Sequence, residues 1–174
     1  MRIGLLGGSF NPPHYGHIHI SLETAKRLKF NQIWWLPTKQ NPLKQSSPDN
    51  FQNRLKLCQN ITKNHSKILI KDLEKQLPSL YSIDLIKRII KQYPQYQFFW
   101  IMGADNILQF HLWQDWQKII GLVPLAICDR GNIFYQATKS RGFIYAKKRQ
   151  KISFLKIKKS PISSTAIRQN NNEL

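Results

Sequence analysis

The first seventeen residues constrain the fold more than any other part of the chain. Residues 2–6 form an apolar run of strand length, and Gly7-Gly8 follow as residues that tolerate any backbone angle. Prolines at positions 12 and 13 prevent an earlier helix, so a helix is predicted to begin near His14 or Tyr15. The sequence therefore predicts a strand, a glycine turn and a helix in direct succession.

Two histidines open the predicted helix three residues apart. Ile18, Leu22 and Ala25 recur after them at helical spacing, which puts His14 and His17 on one face of the first turn. The backbone N–H groups of that turn have no partner within the helix, and imidazole titrates near neutral pH. The sequence predicts an anion-binding site at this point.

The residues alone leave two other interpretations of these histidines open. A His-x-x-His pair at a helix start can simply lie on the surface or cap the helix. The other alternative is a zinc ion bound by His14, His17 and His19, although no Cys or Glu ligand lies nearby. On a helix, His19 would also face away from His17.

The chain length and the two cysteines limit the number of domains and the cellular location that the sequence predicts. A chain of 174 residues can bury a core of its own, so we expect a single domain over residues 1–174. No apolar run approaches the roughly 20 residues of a membrane span, and the N-terminus lacks a signal peptide. Cys58 and Cys128 form no Cys-x-x-Cys pair and lie in apolar periodic segments. They are predicted to be buried free thiols, which favours a cytoplasmic location.

The chain is strongly basic, with a formal net charge of +18. Such a charge attracts nucleic acid, an acidic membrane surface or small polyanionic substrates, or it simply marks a solvated surface. The densest basic run, residues 147–151, has no interleaved aromatic residue, and only Phe154 follows nearby. Because charge alone does not make a stacking platform, we expect small polyanions as partners rather than nucleic acid or membrane.

Strand and helix patterns alternate along the rest of the chain. Strands are predicted at residues 32–36, 67–70, 97–102, 123–128 and 152–157. Helices are predicted with N-caps at Asp49 and Ser82, over residues 112–120, and from Ser163. This alternation predicts an α/β fold, a doubly wound (Rossmann-like) parallel sheet with helices on both faces. Ligands in such sheets bind beyond the carboxyl ends of the strands, near the topological switch point.

Two motifs resemble those of a known superfamily. Residues 8–17, Gly-Ser-Phe-Asn-Pro-Pro-His-Tyr-Gly-His, resemble the HxGH signature of adenylyl- and cytidylyltransferases. Residues 162–168, Ile-Ser-Ser-Thr-Ala-Ile-Arg, match the ISSTxIR motif of the same superfamily. Within it, the chain most resembles the bacterial nicotinate-nucleotide adenylyltransferases, from Arg2 to about Gln169. The resemblance implies a single nucleotidyltransferase domain that transfers AMP from ATP to nicotinate mononucleotide, giving deamido-NAD and pyrophosphate, with Mg²⁺ accompanying the ATP.

The resemblance also implies which residues bind ATP. Adenylyl transfer needs positioning and charge stabilisation at the phosphates, which suits imidazole donors and a guanidinium. The implied catalytic residues are His14, His17 and Arg168. The implied ATP-binding residues are Gly8, Ser9, Phe10, His14, His17, Gly103, Asp105, Ser163, Ser164, Thr165 and Arg168. Without the resemblance, residues 163–165 would be read as an ordinary helix start, and Arg168 as a surface charge.

Four residues match the acceptor side of these enzymes, and the implied substrate-binding residues are Lys44, Ser82, Trp113 and Arg130. Leu43 stands where the family often has a histidine, and the proline usual after residue 130 is absent. Trp113 is expected to stack on the pyridine ring and Trp116 to serve as packing, although either tryptophan could be a core aromatic.

The sequence leaves two rival functions open. A phosphopantetheine adenylyltransferase shares the superfamily, but its signature begins with Thr where this chain has His14. A basic RNA-binding α/β domain without catalysis is the rival from another class, and the intact His14, His17 and Arg168 argue against it. Neither the oligomeric state nor the choice between acid and amide pyridine nucleotides follows from the sequence.

Overall fold

The computed structural model describes residues 1–39, 50–73, 79, 81–129, 131 and 133–157. The strands are β1 (Arg2–Gly8), β2 (Gln32–Pro37), β3 (Ile68–Ile70), β4 (Gln97–Gly103), β5 (Leu125–Asp129) and β6 (Ile152–Lys156). The helices are α1 (Tyr15–Leu28), α2 (Phe51–Thr62), α3 (Ser82–Gln92), α4 (Ala104–Gln109), α5 (Trp116–Leu122), α6 (Phe134–Lys139) and α7 (Arg141–Lys148). A 3₁₀ turn, Phe110–Leu112, lies between α4 and α5.

These strands form one six-stranded sheet in the order β3-β2-β1-β4-β5-β6, and every pair is parallel. The chain builds outward from β1 to β3 and then returns to the other side of β1 with β4. The topological switch point therefore lies between β1 and β4. The predicted α/β fold, a doubly wound parallel sheet, is confirmed.

The sheet is covered on both faces, which explains why its strands are nearly continuous apolar runs. One buried cluster contains Leu5 and Trp100 together with Ile86 of α3. The opposite cluster contains Leu6 and Ile101, together with residues of α1 and α2. Because successive side chains of a strand point to opposite faces, both helical layers are held by the same strands.

The glycine turn differs from the prediction. Strand β1 continues through Gly8, and none of the described glycines has a positive φ. A Cβ at Gly7 would lie 2.8 Å from Cη2 of Trp100, so this glycine is needed for the close approach of an indole ring. The left-handed residue of the loop is Phe10, with a φ of 47°.

Several helix boundaries also differ. Asn50 rather than Asp49 caps α2, because its side chain accepts a hydrogen bond from Gln52 N at 2.9 Å. Tyr81 precedes α3, and Ser82 is its first residue rather than its cap. The helix predicted at 112–120 is interrupted, because Asp115 has a left-handed φ of 52° and α5 begins only after it.

Helices α4, α6 and α7 were not predicted, and the buried face of α1 differs from the predicted stripe. Leu22 is 38% exposed, while Ser21 and Thr24 are buried. Their hydroxyl groups donate to backbone carbonyls of the same helix, so these polar side chains are satisfied without water. A pattern of apolar residues cannot reveal a helix face built in this way.

Both cysteines are buried free thiols, as predicted. Burial raises the pKa of the Cys58 thiol to about 12, and the nearby Arg54 guanidinium offsets only part of that rise. Within the described part of the chain, no helix is both long enough and apolar enough to cross a membrane. The single domain over residues 1–174 stays a prediction.

Candidate active site

Two loops meet at the switch point. Gly8 ends β1 and Gly103 ends β4, each two residues beyond the paired Leu6 and Ile101. The loop from Gly8 leads into α1, and Gly103 is the N-cap of α4. The predicted ATP-binding residues of both loops therefore lie at one edge of the sheet, which is where doubly wound folds bind ligands.

The two histidines form a reciprocal cap at the start of α1. His14 is the N-cap, and its Nδ1 accepts a hydrogen bond from Gly16 N at 3.1 Å. The Nδ1 of His17 accepts from His14 N at 3.2 Å. The two rings lie 4.0 Å apart between centroids. This is a capping box in which imidazoles replace the usual hydroxyl and carboxylate.

This cap assigns the tautomer of both rings. A ring nitrogen that accepts a hydrogen bond from a backbone N–H does not carry a proton, so a neutral imidazole then carries its proton on Nε2. Hydrogen-bond geometry thus assigns the Nε2–H tautomer to His14 and His17. The pair supplies two N–H donors beside the N-terminus of a fourteen-residue helix, where backbone N–H groups and the helix dipole favour anions.

Aromatic packing fixes the position of His17. The buried ring of Phe10 stacks on Trp35 at 4.7 Å and lies 4.8 Å from the imidazole of His17. Trp35 Nε1 donates to Ser21 Oγ at 2.8 Å, and Ser21 Oγ donates to the carbonyl of His17 at 2.8 Å. Trp35 therefore holds His17 in two ways: it supports the imidazole through Phe10 and the backbone through Ser21.

Arg54 is a residue of this region that the sequence analysis missed. It is 1% exposed, and its guanidinium donates to the carbonyls of Ser9, Thr38 and Lys39. The sequence does contain a sign of this burial, because Arg54 follows Phe51 by three residues and therefore lies on the same apolar helix face as Phe51 and Cys58. A basic residue at such a position is buried only when it has hydrogen-bond acceptors.

The residues predicted to bind ribose, Gly103 and Asp105, lie at the end of β4 and the start of α4, and β5 ends beside β4. Asp105 is exposed in the first turn of α4, directly after the end of β4. Asp129 ends β5, is buried, and accepts a hydrogen bond from Gly131 N at 3.0 Å. Asp129, which was not singled out from the sequence, joins the end of β5 to Gly131 through this hydrogen bond.

The two candidate tryptophans share one neighbour, Phe110, which lies 5.3 Å from Trp113, and they differ in the other. Trp113 is partly buried, with its ring 6.3 Å from Trp100, the residue packed against Gly7. Trp116 packs on Tyr145 at 5.0 Å and on Phe110 at 6.1 Å. Trp113 is therefore linked to β1 through a single residue, Trp100. Its stacking role stays a prediction, as does the role of partly buried Ser82 at the start of α3.

Six predicted site residues lie outside the described residues, together with Leu43; they are Lys44, Arg130, Ser163, Ser164, Thr165 and Arg168. Their roles stay predictions. Among the residues that the structure does describe, no group of three or more His, Cys, Asp or Glu side chains is placed to hold a metal ion.

The chain matches a known protein family whose assignment agrees with the fold and the site. Residues 5–170 match the cytidylyltransferase-like family, a span that contains both histidines and all strands from β2 to β6. The chain belongs to this family and is a nucleotidyltransferase.

Within that family, the resemblance to nicotinate-nucleotide adenylyltransferases is confirmed. A probable nicotinate-nucleotide adenylyltransferase of Cereibacter sphaeroides is 37% identical over 180 residues, covering 97% of this chain and 97% of that protein. One of Agrobacterium fabrum is 34% identical over 98% of this chain and 99% of its own length.

A solved structure agrees in both fold and name. It is the Plasmodium falciparum nicotinic acid mononucleotide adenylyltransferase complexed with NaAD, with a TM-score of 0.77 and 26% identity. It covers 97% of this chain, and this chain covers 82% of it. The same enzyme complexed with APC has a TM-score of 0.75 and 25% identity, with the same coverage.

Proposed function

We propose that this chain transfers AMP from ATP to nicotinate mononucleotide, releasing pyrophosphate and forming deamido-NAD. The observation that carries the proposal is the cap of His14 and His17 at a helix N-terminus beside the switch point of the sheet, because its hydrogen bonds to Nδ1 assign an Nε2–H donor to each ring. The names of the relatives support nicotinate mononucleotide as the acceptor.

The reaction is a displacement at the α-phosphorus of ATP. A phosphate oxygen of the acceptor forms the new P–O bond, and the bond from the α-phosphorus to the bridging oxygen breaks, so that pyrophosphate leaves with that oxygen. Negative charge grows on the α-phosphate and on the leaving group. His14 and His17 donate hydrogen bonds to these oxygens, and no residue of the chain has to form a covalent bond. Arg168 is proposed to add a fixed positive charge at the same phosphates.

Mg²⁺ is proposed to arrive with the triphosphate, where it neutralises phosphate charge. The donors of the described site fit this arrangement, because imidazole Nε2–H groups bind phosphate oxygens rather than a metal. The coordination sphere is therefore assigned to phosphate oxygens and water, which is usual for this ion.

The remaining residues are proposed to bind the nucleosides. Asp105, exposed beside the end of β4, can accept hydrogen bonds from ribose hydroxyls. Trp113 offers a flat ring to the pyridine, and Ser82 a hydroxyl. Lys44 and Arg130 are proposed to contact the acceptor's charged groups, and Gly8, Ser9, Phe10 and residues 163–165 the triphosphate. We also infer a cytoplasmic location, which the two free thiols support.

The test is a pyrophosphate-release assay with ATP, Mg²⁺ and a panel of acceptors, followed by mass analysis of the product. We expect release with nicotinate mononucleotide and formation of deamido-NAD. Release only with phosphopantetheine would assign the neighbouring activity instead. No release with any acceptor, together with tight binding of RNA at physiological salt, would favour a non-catalytic RNA-binding domain.

A further inference from the structure

We propose that Arg54 is a positioning residue for adenylyl transfer, because it sets the spacing between the loop after β1 and the loop after β2. This inference rests on the proposed function. The described hydrogen bonds of Arg54 go to backbone carbonyls. It acts through the backbone of Ser9, next to Phe10, and through the backbone of Thr38 and Lys39.

Its hydrogen bonds join two loops that are far apart in the sequence. Nη1 donates to the carbonyl of Ser9 and to that of Thr38, the latter at 2.8 Å, and Nη2 donates to the carbonyl of Lys39 at 3.2 Å. Only one described backbone hydrogen bond joins the same loops, from Thr38 N to the carbonyl of Gly8 at 2.9 Å. The guanidinium therefore supplies most of the described polar contacts that hold the two loops in register.

The guanidinium itself is held in place by α2. Its central carbon lies 5.3 Å from the ring centroid of Phe51, one turn earlier on the same helix. The side chain is 1% exposed, so its hydrogen bonds do not compete with water. A planar fork can bind several carbonyls in fixed directions, whereas the ammonium of a lysine is a point charge on a flexible stem. The site therefore requires the shape of arginine as well as its charge.

Each loop precedes or contains residues that are predicted to bind a substrate. Ser9 precedes Phe10, whose ring packs against His17, so a shift of Ser9 is passed to the phosphate donors. Lys39 directly precedes the segment that contains Lys44, which is predicted to bind the acceptor. By joining Ser9 to Lys39, Arg54 fixes the distance between the starts of the two loops that follow β1 and β2. In a reaction catalysed by positioning, a displacement of about 1 Å can cost roughly a hundredfold in rate.

The test compares Arg54→Lys and Phe51→Leu with Arg27→Lys as the matched control. Arg27 also donates to a backbone carbonyl, that of Lys156 at 2.7 Å, but it lies near the end of α1 away from the histidines. For each folded variant, kcat and both KM values are measured, ATP affinity is measured by calorimetry, and the Nε2 resonance of His17 is followed by nitrogen NMR.

We expect Arg54→Lys to lower kcat/KM by about a hundredfold. It should also weaken ATP binding and shift the His17 resonance. Phe51→Leu should give a smaller loss in the same direction, and Arg27→Lys should stay within about twofold of wild type. The calorimetry and the NMR measure the effect of Arg54 on ATP binding and on His17, and neither measurement depends on the acceptor.

A folded Arg54→Lys variant with kcat/KM within about twofold of wild type and an unshifted His17 resonance would overturn the proposal. If Arg54→Lys does not fold, Phe51→Leu decides, and unchanged kinetics in that variant would assign Arg54 to stability alone. Failure of the proposed function is a different result, because wild type itself would then release no pyrophosphate with nicotinate mononucleotide.

Discussion

The Nδ1 atom of His17 accepts a hydrogen bond from the backbone N–H of His14 at 3.2 Å, and Nδ1 of His14 accepts one from Gly16 N at 3.1 Å, so each histidine uses Nδ1 in the helix cap and is assigned its proton on Nε2. The same residues therefore stabilise the start of α1 and are proposed to donate two hydrogen bonds to phosphate oxygens. Substitution by alanine removes both the cap acceptor and the Nε2–H donor, whereas substitution by asparagine keeps an acceptor for the cap and removes only the donor.

His17→Asn tests the donor separately from the cap. An asparagine side chain can place an acceptor near the former Nδ1 but does not reach the position of Nε2. We expect kcat and kcat/KM to fall together by about 10²- to 10³-fold, because the lost donor acts mainly in the transition state. The melting temperature should stay near that of wild type. His17→Ala should lose similar activity and, in addition, roughly 0.5–2 kcal/mol of stability with the cap. Full activity of the asparagine variant would rule out the phosphate role.

Trp113→Ala and Trp116→Ala separate stacking from packing. Loss of Trp113 should raise the KM for nicotinate mononucleotide and for its amide, while the acid-to-amide ratio of kcat/KM changes little, because both rings offer the same face. Trp116→Ala should leave both KM values near those of wild type, and both substitutions should lower the melting temperature, because each ring packs on Phe110. Kinetics with both acceptors and thermal unfolding of both variants make the comparison. An unchanged KM in Trp113→Ala would move the stacking role to Trp116.

Wild type should prefer nicotinate mononucleotide to the amide. The two acceptors differ only by a carboxylate against a carboxamide, and a site lined by N–H donors leaves the amide's NH₂ facing other donors. Such a mismatch costs about 1–3 kcal/mol or more, which predicts at least roughly a fivefold difference in kcat/KM. Equal kcat/KM values for the two acceptors would contradict this specificity.

Removal of divalent metal should stop the reaction. Chelation leaves the phosphate charge of ATP without its counter-ion, and addition of Mg²⁺ alone should restore activity. Metal analysis of the purified protein is the control. Stoichiometric zinc that is needed for activity would show that the histidines are ligands, in agreement with the alternative drawn from His14, His17 and His19.

Neither cysteine should react with a thiol reagent at about pH 8 in the folded chain. Both residues are buried, and the pKa of the Cys58 thiol lies at about 12, so the nucleophilic thiolate is scarce. Counting modified thiols before and after unfolding in guanidinium gives the measurement. Rapid modification of either cysteine without unfolding would contradict its placement in the core.

The local elements of the site could be predicted from the sequence because they depend on neighbouring residues. The strand at residues 2–6, the stop at the two prolines and the helix from Tyr15 follow from hydrophobic spacing and the fixed φ of proline. Alternating strands and helices predicted the parallel sheet, whose register places the β1 and β4 loops together. The two motifs predicted the family.

Long-range packing decided the rest. Position 7 must be glycine because the indole of Trp100 on β4 leaves no room for a Cβ. Arg54 can be buried because carbonyls of two distant loops accept its hydrogen bonds. Phe10 adopts its left-handed φ while its ring stacks on Trp35 and packs at a tilt against His17. The energies of such contacts come from residues far apart in the chain, and a local pattern does not contain them. The sequence by itself therefore determined the fold class and the residues of the motifs, and the tertiary structure decided how those residues are held.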